Sequence, residues 1–228
     1  MKRSEINLAI NEAFQFFKDM NIVLPKWAYW KPDQWKDMGS IVGEVMERGL
    51  GWDITDFGSG DFENIGLINF NTRNGSLTDK DKPYCEKIIV VKENQVTPNH
   101  THHIKKEDII NRGGGNLVIQ LFHGDFDGNL TDEDITVKID SIPVTVAAGG
   151  TVTLEPGESI YLLPGVYHEF WGENGKGKVL VVEVSSVNDD ATDNIFVNTI
   201  PRFPTIEEDE APEYLLVNDY KKYIQPHL

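Results

Sequence analysis

The sequence predicts a mainly β protein, a sandwich or barrel, with an N-terminal helical extension, together forming one structural domain. Three observations predict it. From Lys87 onward the chain is a series of short β-type runs broken by Gly, Asn, Asp and Pro. No helix-length apolar repeat interrupts those runs, which disfavours alternating βαβ units. Helical periodicity is instead found at the N-terminus.

Each element follows in order. Ser4 is placed to cap a first helix, with Ile6, Leu8, Ile10, Ala13, Phe14 and Phe17 near a helical repeat and Glu5, Asn11, Glu12 and Lys18 opposite. "LPKWAYWKPDQWKDMG" (24–39) holds three tryptophans and two prolines and reads as an ordered loop with a short helix. Its aromatics are expected to pack as core, more commonly than as a lid over a sugar. Residues 1–50 thus form a helical and aromatic extension packed on the barrel, and 51–228 the barrel with a C-terminal arm. "GWDITDFGSGDFENIGLINFNTRNG" (51–75) mixes glycines, acids and short apolar alternations. The β-type runs are 86–95, 116–122, 135–140, 142–149, 151–165 and 178–186. The acidic, Pro-bounded segment 201–223 is either a surface arm or part of a site.

The formal net charge of −16, with no basic stripe, excludes a nucleic-acid backbone and disfavours an anionic membrane surface. Cys85 is the single cysteine, so no intramolecular disulfide forms, and an inert thiol in a strand is expected. No stretch approaches a membrane span, and the basic start lacks an unbroken apolar run, so a soluble cytoplasmic protein is expected.

"HTHHIKKED" (100–108) raises the question of chemistry. In a strand, residues two apart share a face, so His100 and His102 stand side by side while His103 points elsewhere. Two neutral imidazoles on one wall can hold a divalent metal at about 2.0–2.1 Å. Glu107 lies beyond a short bend and can supply an oxygen. Downstream, "PGESIYLLPGVYHEF" (156–170) runs from Gly157 through the Pro164–Gly165 turn to His168, which opens the next strand.

These stretches resemble the two motifs of the cupin superfamily. His100, His102, Glu107 and Gly114 fit the first motif, although Asn94 stands where its opening glycine belongs. Gly157 and His168 keep the span of the second, although its proline is displaced by one residue and Gly165 follows directly. The resemblance implies a small cupin-type β-barrel, a jelly roll, with a metal in its mouth held by His100, His102, Glu107 and His168. Three nitrogens and one oxygen leave positions open on a six-coordinate ion. Mn²⁺ is the metal implied first, with Fe²⁺, Co²⁺ or Zn²⁺ as alternatives.

"INRGGG", "KVLVVEVSSVNDDATDN" and "PRFPTIEEDEAPEYLLVNDY" extend the likeness, and from Lys87 to the C-terminus the chain resembles the D-lyxose isomerase family. That resemblance implies a metal-dependent aldose–ketose isomerase converting D-lyxose to D-xylulose, and D-mannose to D-fructose, through an enediol. Lys105 fits the family's H-x-H-x-x-K-x-E-D spacing where Lys106 does not, and with Glu183 it is the candidate acid/base pair. Glu183 sits amid valines, where an unpaired buried carboxylate would have a raised pKa. Strand pattern leaves its facing open, since it shares a face with Val181 and Ser185.

Lys87, Gln95, Arg202 and Glu208 are candidates for holding sugar hydroxyls. Gly113–Gly115 read as a turn needing unusual backbone angles. His103, His123 and His227 receive no role. A homodimer is expected, the N-terminal aromatic segment and C-terminal arm burying each other across a two-fold axis. Two other functions are open: a cupin dioxygenase on the same three-His, one-Glu site, and a non-catalytic sugar-binding cupin.

Overall fold

In a computed structural model describing residues 1–78, 82–125 and 128–224, β structure begins well before Lys87, at Gly51. The strands are β1 (Gly51–Thr55), β2 (Leu67–Asn74), β3 (Tyr84–Val91), β4 (Thr97–His102), β5 (Glu107–Gly114), β6 (Leu117–His123), β7 (Ile135–Ile139), β8 (Ile142–Val146), β9 (Thr151–Leu154), β10 (Ser159–Leu162), β11 (Val166–Gly172), β12 (Val179–Ser186) and β13 (Asn194–Phe196). They form two antiparallel sheets, ordered β1-β2-β3-β12-β5-β10-β7-β8 and β13-β4-β11-β6-β9. This is the jelly-roll arrangement of a cupin-type barrel.

Leu117, Ile119 and Leu121 of the smaller sheet meet Ile89, Ile109, Ile160 and Val181 of the larger inside the barrel. The residues between them on β3 and β12, Ile88, Val90 and Leu180, are also buried, but in a second core outside the barrel. A sheet buried on both faces reads as a near-continuous apolar run. "EKIIVVKENQ" and "KVLVVEVSS" have that texture.

The outer cover is helix α1 (Arg3–Asp19), which buries Ile6, Ala9, Ile10, Ala13 and Phe17 against β1–β3. Full burial of each large side chain is worth about 1.5–3 kcal/mol. The helix start departs from expectation. Ser4 lies inside the first turn, and Lys2 is the N-cap, its backbone N–H donating to the Glu5 carboxylate at 2.7 Å. The C-terminal arm has taken Ser4 over. Arg3 N–H donates to the Glu207 carbonyl, and the Ser4 hydroxyl donates to Asp209 at 2.7 Å.

Segment 24–39 contains a 3₁₀ turn (Lys26–Tyr29) and helix α2 (Pro32–Lys36), followed by α3 (Gly43–Glu47). Its tryptophans pack as core: Trp35 lies 4.9 Å from the ring of Tyr220 in α4 (Tyr220–Tyr223), and Trp27 stacks on Phe70. The arm is clamped by buried Arg3, whose guanidinium forks onto Asp219 (2.9 and 2.9 Å) and reaches Glu208 (2.8 Å). The N-terminal segment and the C-terminal arm therefore bury each other within one chain.

At the end of β5, Gly113 and Gly114 have φ of +146° and +86°, the unusual backbone angles expected there. A Cβ on Gly114 would collide with the Lys178 carbonyl. No helix among the described residues is long and apolar enough to cross a membrane.

Candidate active site

Strand pairing assembles the histidines. β4 and β11 are neighbours, and His168 is directly opposite His100 in their register. His102 stands two residues along the same strand, as the alternation requires. Ligand atoms of His100, His102 and His168 all lie within 4.8 Å of one another. Two backbone carbonyls set the rings. Nδ1 of His100 lies 2.8 Å from the Pro98 oxygen, and Nδ1 of His168 lies 3.2 Å from the Val166 oxygen. A carbonyl only accepts, so both Nδ1 atoms carry the proton and both Nε2 atoms face the cavity as lone pairs.

Glu107 approaches from the other sheet as the first residue of β5. Its Oε1 is 3.1 Å from His168 Nε2 and 3.4 Å from His102 Nε2. These three buried atoms have no hydrogen-bond partner among the described residues. Buried polar atoms are rarely left so, and a group missing from the protein itself is the ordinary explanation. Adjacent ligands on an ion with bonds of about 2.1 Å are separated by about 3.0 Å, close to both spacings. The donor set of imidazoles with one carboxylate oxygen fits a divalent metal. Burial, followed by the neighbouring imidazoles, holds His100 well below the ordinary pKa, so the ring is neutral and able to ligate.

The second oxygen of Glu107 faces Lys105, 2.8 Å away. Lys105 is on the β4–β5 turn and is only 3 % exposed. Its ammonium also donates to Glu183 Oε1 at 2.9 Å. The turn is held by Asp193, whose carboxylate accepts the backbone N–H groups of Ile104 (2.8 Å) and Lys105 (3.0 Å). Glu183 faces inward on β12, directly opposite Lys87 of β3, and Lys87 Nζ is 3.3 Å from the same Oε1.

Burial alone would raise the carboxyl pKa of Glu183, but Lys105 and Lys87 outweigh it and the net shift is downward. Glu107 is likewise held well below the ordinary range, burial being overcome chiefly by Lys105. Lys105 is raised, its two carboxylates outweighing desolvation. Both carboxylates and the ammonium are therefore charged at neutral pH.

The charge network continues away from the histidines. Lys87 donates to Asn188 Oδ1 (2.8 Å), and Asn188 donates to Asp190 Oδ2 (2.9 Å). Arg202 then joins Asp190 (3.3 Å) to Asp53 (2.5 Å). Of the residues singled out in the sequence, His100, His102, Lys105, Glu107, His168, Glu183, Lys87 and Arg202 line one cavity. The cavity has an empty volume of about 520 Å³, including its open mouth.

Gln95 and Glu208 are not brought there. Buried Gln95 donates to the Phe62 carbonyl, and Glu208 is with Arg3 and Lys222 at the start of α1. His103 is exposed, His123 ends β6, and His227 is outside the described residues. Cys85 is buried, and burial pushes its thiol up to about 11. The cavity also contains Asn69, Asp190 and Asn194, and Asp53 and Asp193 brace it; sequence reasoning assigned none of these. Asn69 and Asn71 alternate with Ile68 and Phe70, a pattern that reads as polar-out, and only the α1 cover reveals that the polar side is the inside.

A family model described as D-lyxose isomerase matches residues 1–220. A D-lyxose/D-mannose isomerase from Serratia proteamaculans is 46 % identical over 227 residues, covering 98 % of this chain and all of that protein. One from Escherichia coli O157:H7 is 46 % identical over 226 residues with the same coverage. Among solved structures, the L-ribose isomerase of Cellulomonas parahominis superposes with a TM-score of 0.60 at 15 % identity, covering 91 % of this chain and 98 % of that one. At that identity the likeness is one of fold.

Proposed function

The chain belongs to the D-lyxose isomerase family and is an aldose–ketose isomerase, and from that premise we propose that it converts D-lyxose to D-xylulose, and D-mannose to D-fructose, with a divalent metal. The observation that carries the proposal is the sharing of Glu107 between the histidine cluster and Lys105, which in turn touches Glu183. That contact supports reading the histidine cluster as the electrophile site and Lys105 with Glu183 as the proton-transfer pair.

His100, His102, His168 and Glu107 would hold the ion, for which Mn²⁺ is our choice. When bound, such an ion supplies Lewis-acid polarisation of the sugar carbonyl. The remaining work falls to the chain's own side chains. Glu183 is held as a carboxylate and serves as the base that takes the proton from C2 and returns it to C1. Its lowered pKa makes it a weak base, so most of the acidity at C2 has to come from the polarised carbonyl. Lys105 keeps an ammonium beside Glu183 and can give a proton to O1 and take back the one that leaves O2, so the hydroxyl proton changes oxygen with no net gain or loss. Lys87 balances Glu183 from the opposite side and, with Arg202, presents donors to sugar hydroxyls. Gln95 and Glu208, occupied at the Phe62 carbonyl and at Arg3, are not part of this reading.

We place the reaction in the cytoplasm and in a homodimer. The contact first expected to make the dimer is used within the chain, so the pair would form through another face, and sedimentation velocity checks it.

The test is ketose formation by purified protein loaded with Mn²⁺. Ketose from D-lyxose, and more slowly or equally from D-mannose, is expected. No ketose from either sugar overturns the proposal, and oxygen uptake with an aromatic diol would put a dioxygenase in its place.

A further inference from the structure

Asn69 is fully buried, at 0 % exposure, and lines the same cavity as the histidines. Its Oδ1 has no hydrogen-bond partner among the described residues. The orientation of its amide is set by a short relay. Asn71 Nδ2 donates to the Gly49 carbonyl at 2.9 Å, and because a carbonyl only accepts, Asn71 must present its NH₂ there and its oxygen on the other side. That oxygen accepts from Asn69 Nδ2 at 3.0 Å. Asn69 is left with its own oxygen unpartnered, on a residue that lines the cavity. A buried acceptor without a partner costs stability, which a structure retains where the group has a use.

Its position in the sheet indicates the use. Asn69 is on β2, three strands from Glu107 in the order β2-β3-β12-β5, a separation of about 14 Å along the sheet. It is thus on a different wall of the cavity from Glu107. In the register it is directly opposite Asp53, and Asp53 holds Arg202 by Nη2. Arg202 Nη1 is a buried donor with no partner among the described residues, and it too belongs to this cavity. An orphaned acceptor and an orphaned donor therefore share this wall. The hydroxyls of a sugar both give and take hydrogen bonds and so can satisfy groups of either kind; a methyl can satisfy neither.

We infer that Asn69 is a specificity-determining residue, its Oδ1 accepting a hydrogen bond from a sugar hydroxyl beyond the reacting carbons. This rests on the isomerase reading above and deepens it. A sugar lying with its C1–C2 end at Glu107 and Lys105 would bring its C4 and C5 hydroxyls toward this wall, so recognition there would select among aldoses that are identical at the reacting carbons.

The test is steady-state kinetics of the metal-loaded full chain on D-lyxose, 4-deoxy-D-lyxose and 5-deoxy-D-lyxose. A site built to bond a hydroxyl rejects the analogue lacking it, so in the wild type one deoxy sugar should show a KM raised about 10- to 100-fold. Asn69→Leu should raise KM for D-lyxose by a similar factor and erase its advantage over that analogue, with kcat changed less than about 3-fold and metal content unaltered. A variant with wild-type KM overturns the inference, as do two losses that multiply instead of overlapping. If Asn69→Leu does not fold, the wild-type panel decides: equal KM for all three sugars sinks the inference. A wild type that makes no ketose from any of them strikes the isomerase reading itself, and this inference with it.

Discussion

Lys105 Nζ lies 2.9 Å from Glu183 Oε1 across 78 residues of sequence, and the same nitrogen is 2.8 Å from Glu107. One ammonium thus bridges two buried carboxylates, one beside the histidines and one also paired with Lys87.

Removing that ammonium should cost both activity and stability. In Lys105→Met, Glu107 loses its lysine and Glu183 keeps only Lys87. Breaking a buried pair typically costs about 3–5 kcal/mol, to be read in urea unfolding. Loss of a proton-transfer partner typically lowers turnover about 10²–10⁴-fold. Glu183→Gln, which keeps shape and removes charge, should lose activity to a similar degree while retaining the metal. A Glu183→Gln variant with wild-type ketose formation would remove this residue from the proton path.

Metal content separates the histidines that converge from the one that does not. His102→Ala and His168→Ala should bind less than a tenth of the wild-type metal after dialysis, measured by elemental analysis. His103→Ala should bind the full amount, because His103 is exposed and outside the cluster. Equal metal in all three variants would disprove the assignment. Chelation of the wild type should abolish ketose formation, and added Mn²⁺ should restore it.

The metal-free protein should lose stability as the pH falls below about 6.5. Burial depresses the pKa of both His100 and His102. In that window the unfolded chain binds protons that the folded imidazoles refuse, so unfolding gains as protons become available and stability rises with pH. Glu107 and Glu183 add a second loss at lower pH. Their folded values are depressed, so the stability they contribute is present above the unfolded value of about 4.3 and declines as pH falls through the folded value. Urea midpoints at pH 7.5 and 5.5 test the first window, and His100→Gln should flatten the difference.

Arg3 ties the arm to the helix, and its removal should be felt throughout. Arg3→Ala leaves Asp219 without its guanidinium and should destabilise the chain by about 3–5 kcal/mol. Glu208→Ala, at a half-exposed partner, should cost about 1 kcal/mol or less. Equal losses from the two would show that the buried fork onto Asp219 has no special weight.

Much of this protein could be read without coordinates, because two of its codes are local. Alternation in a strand put His100 and His102 on one wall, and the pattern of short runs announced paired strands from Lys87 onward. The resemblance to the D-lyxose isomerase family, not a local code, picked Lys105 over Lys106, and Lys105 is the one that is buried.

What stayed hidden depended on partners distant in sequence. The facing of Glu183 was undetermined because valines flank it on both sides of the strand, and only the α1 cover on one face and the barrel on the other decide which side is polar. Its pKa shift was equally undetermined, since burial and two lysines act in opposite directions and the sign follows from which is nearer. Ser4 was the apparent cap until the arm from residue 207 onward supplied other partners. Local sequence sets which groups can share a wall; long-range packing sets which wall is dry and what faces it, and on that the charge state and chemistry of the cavity depend.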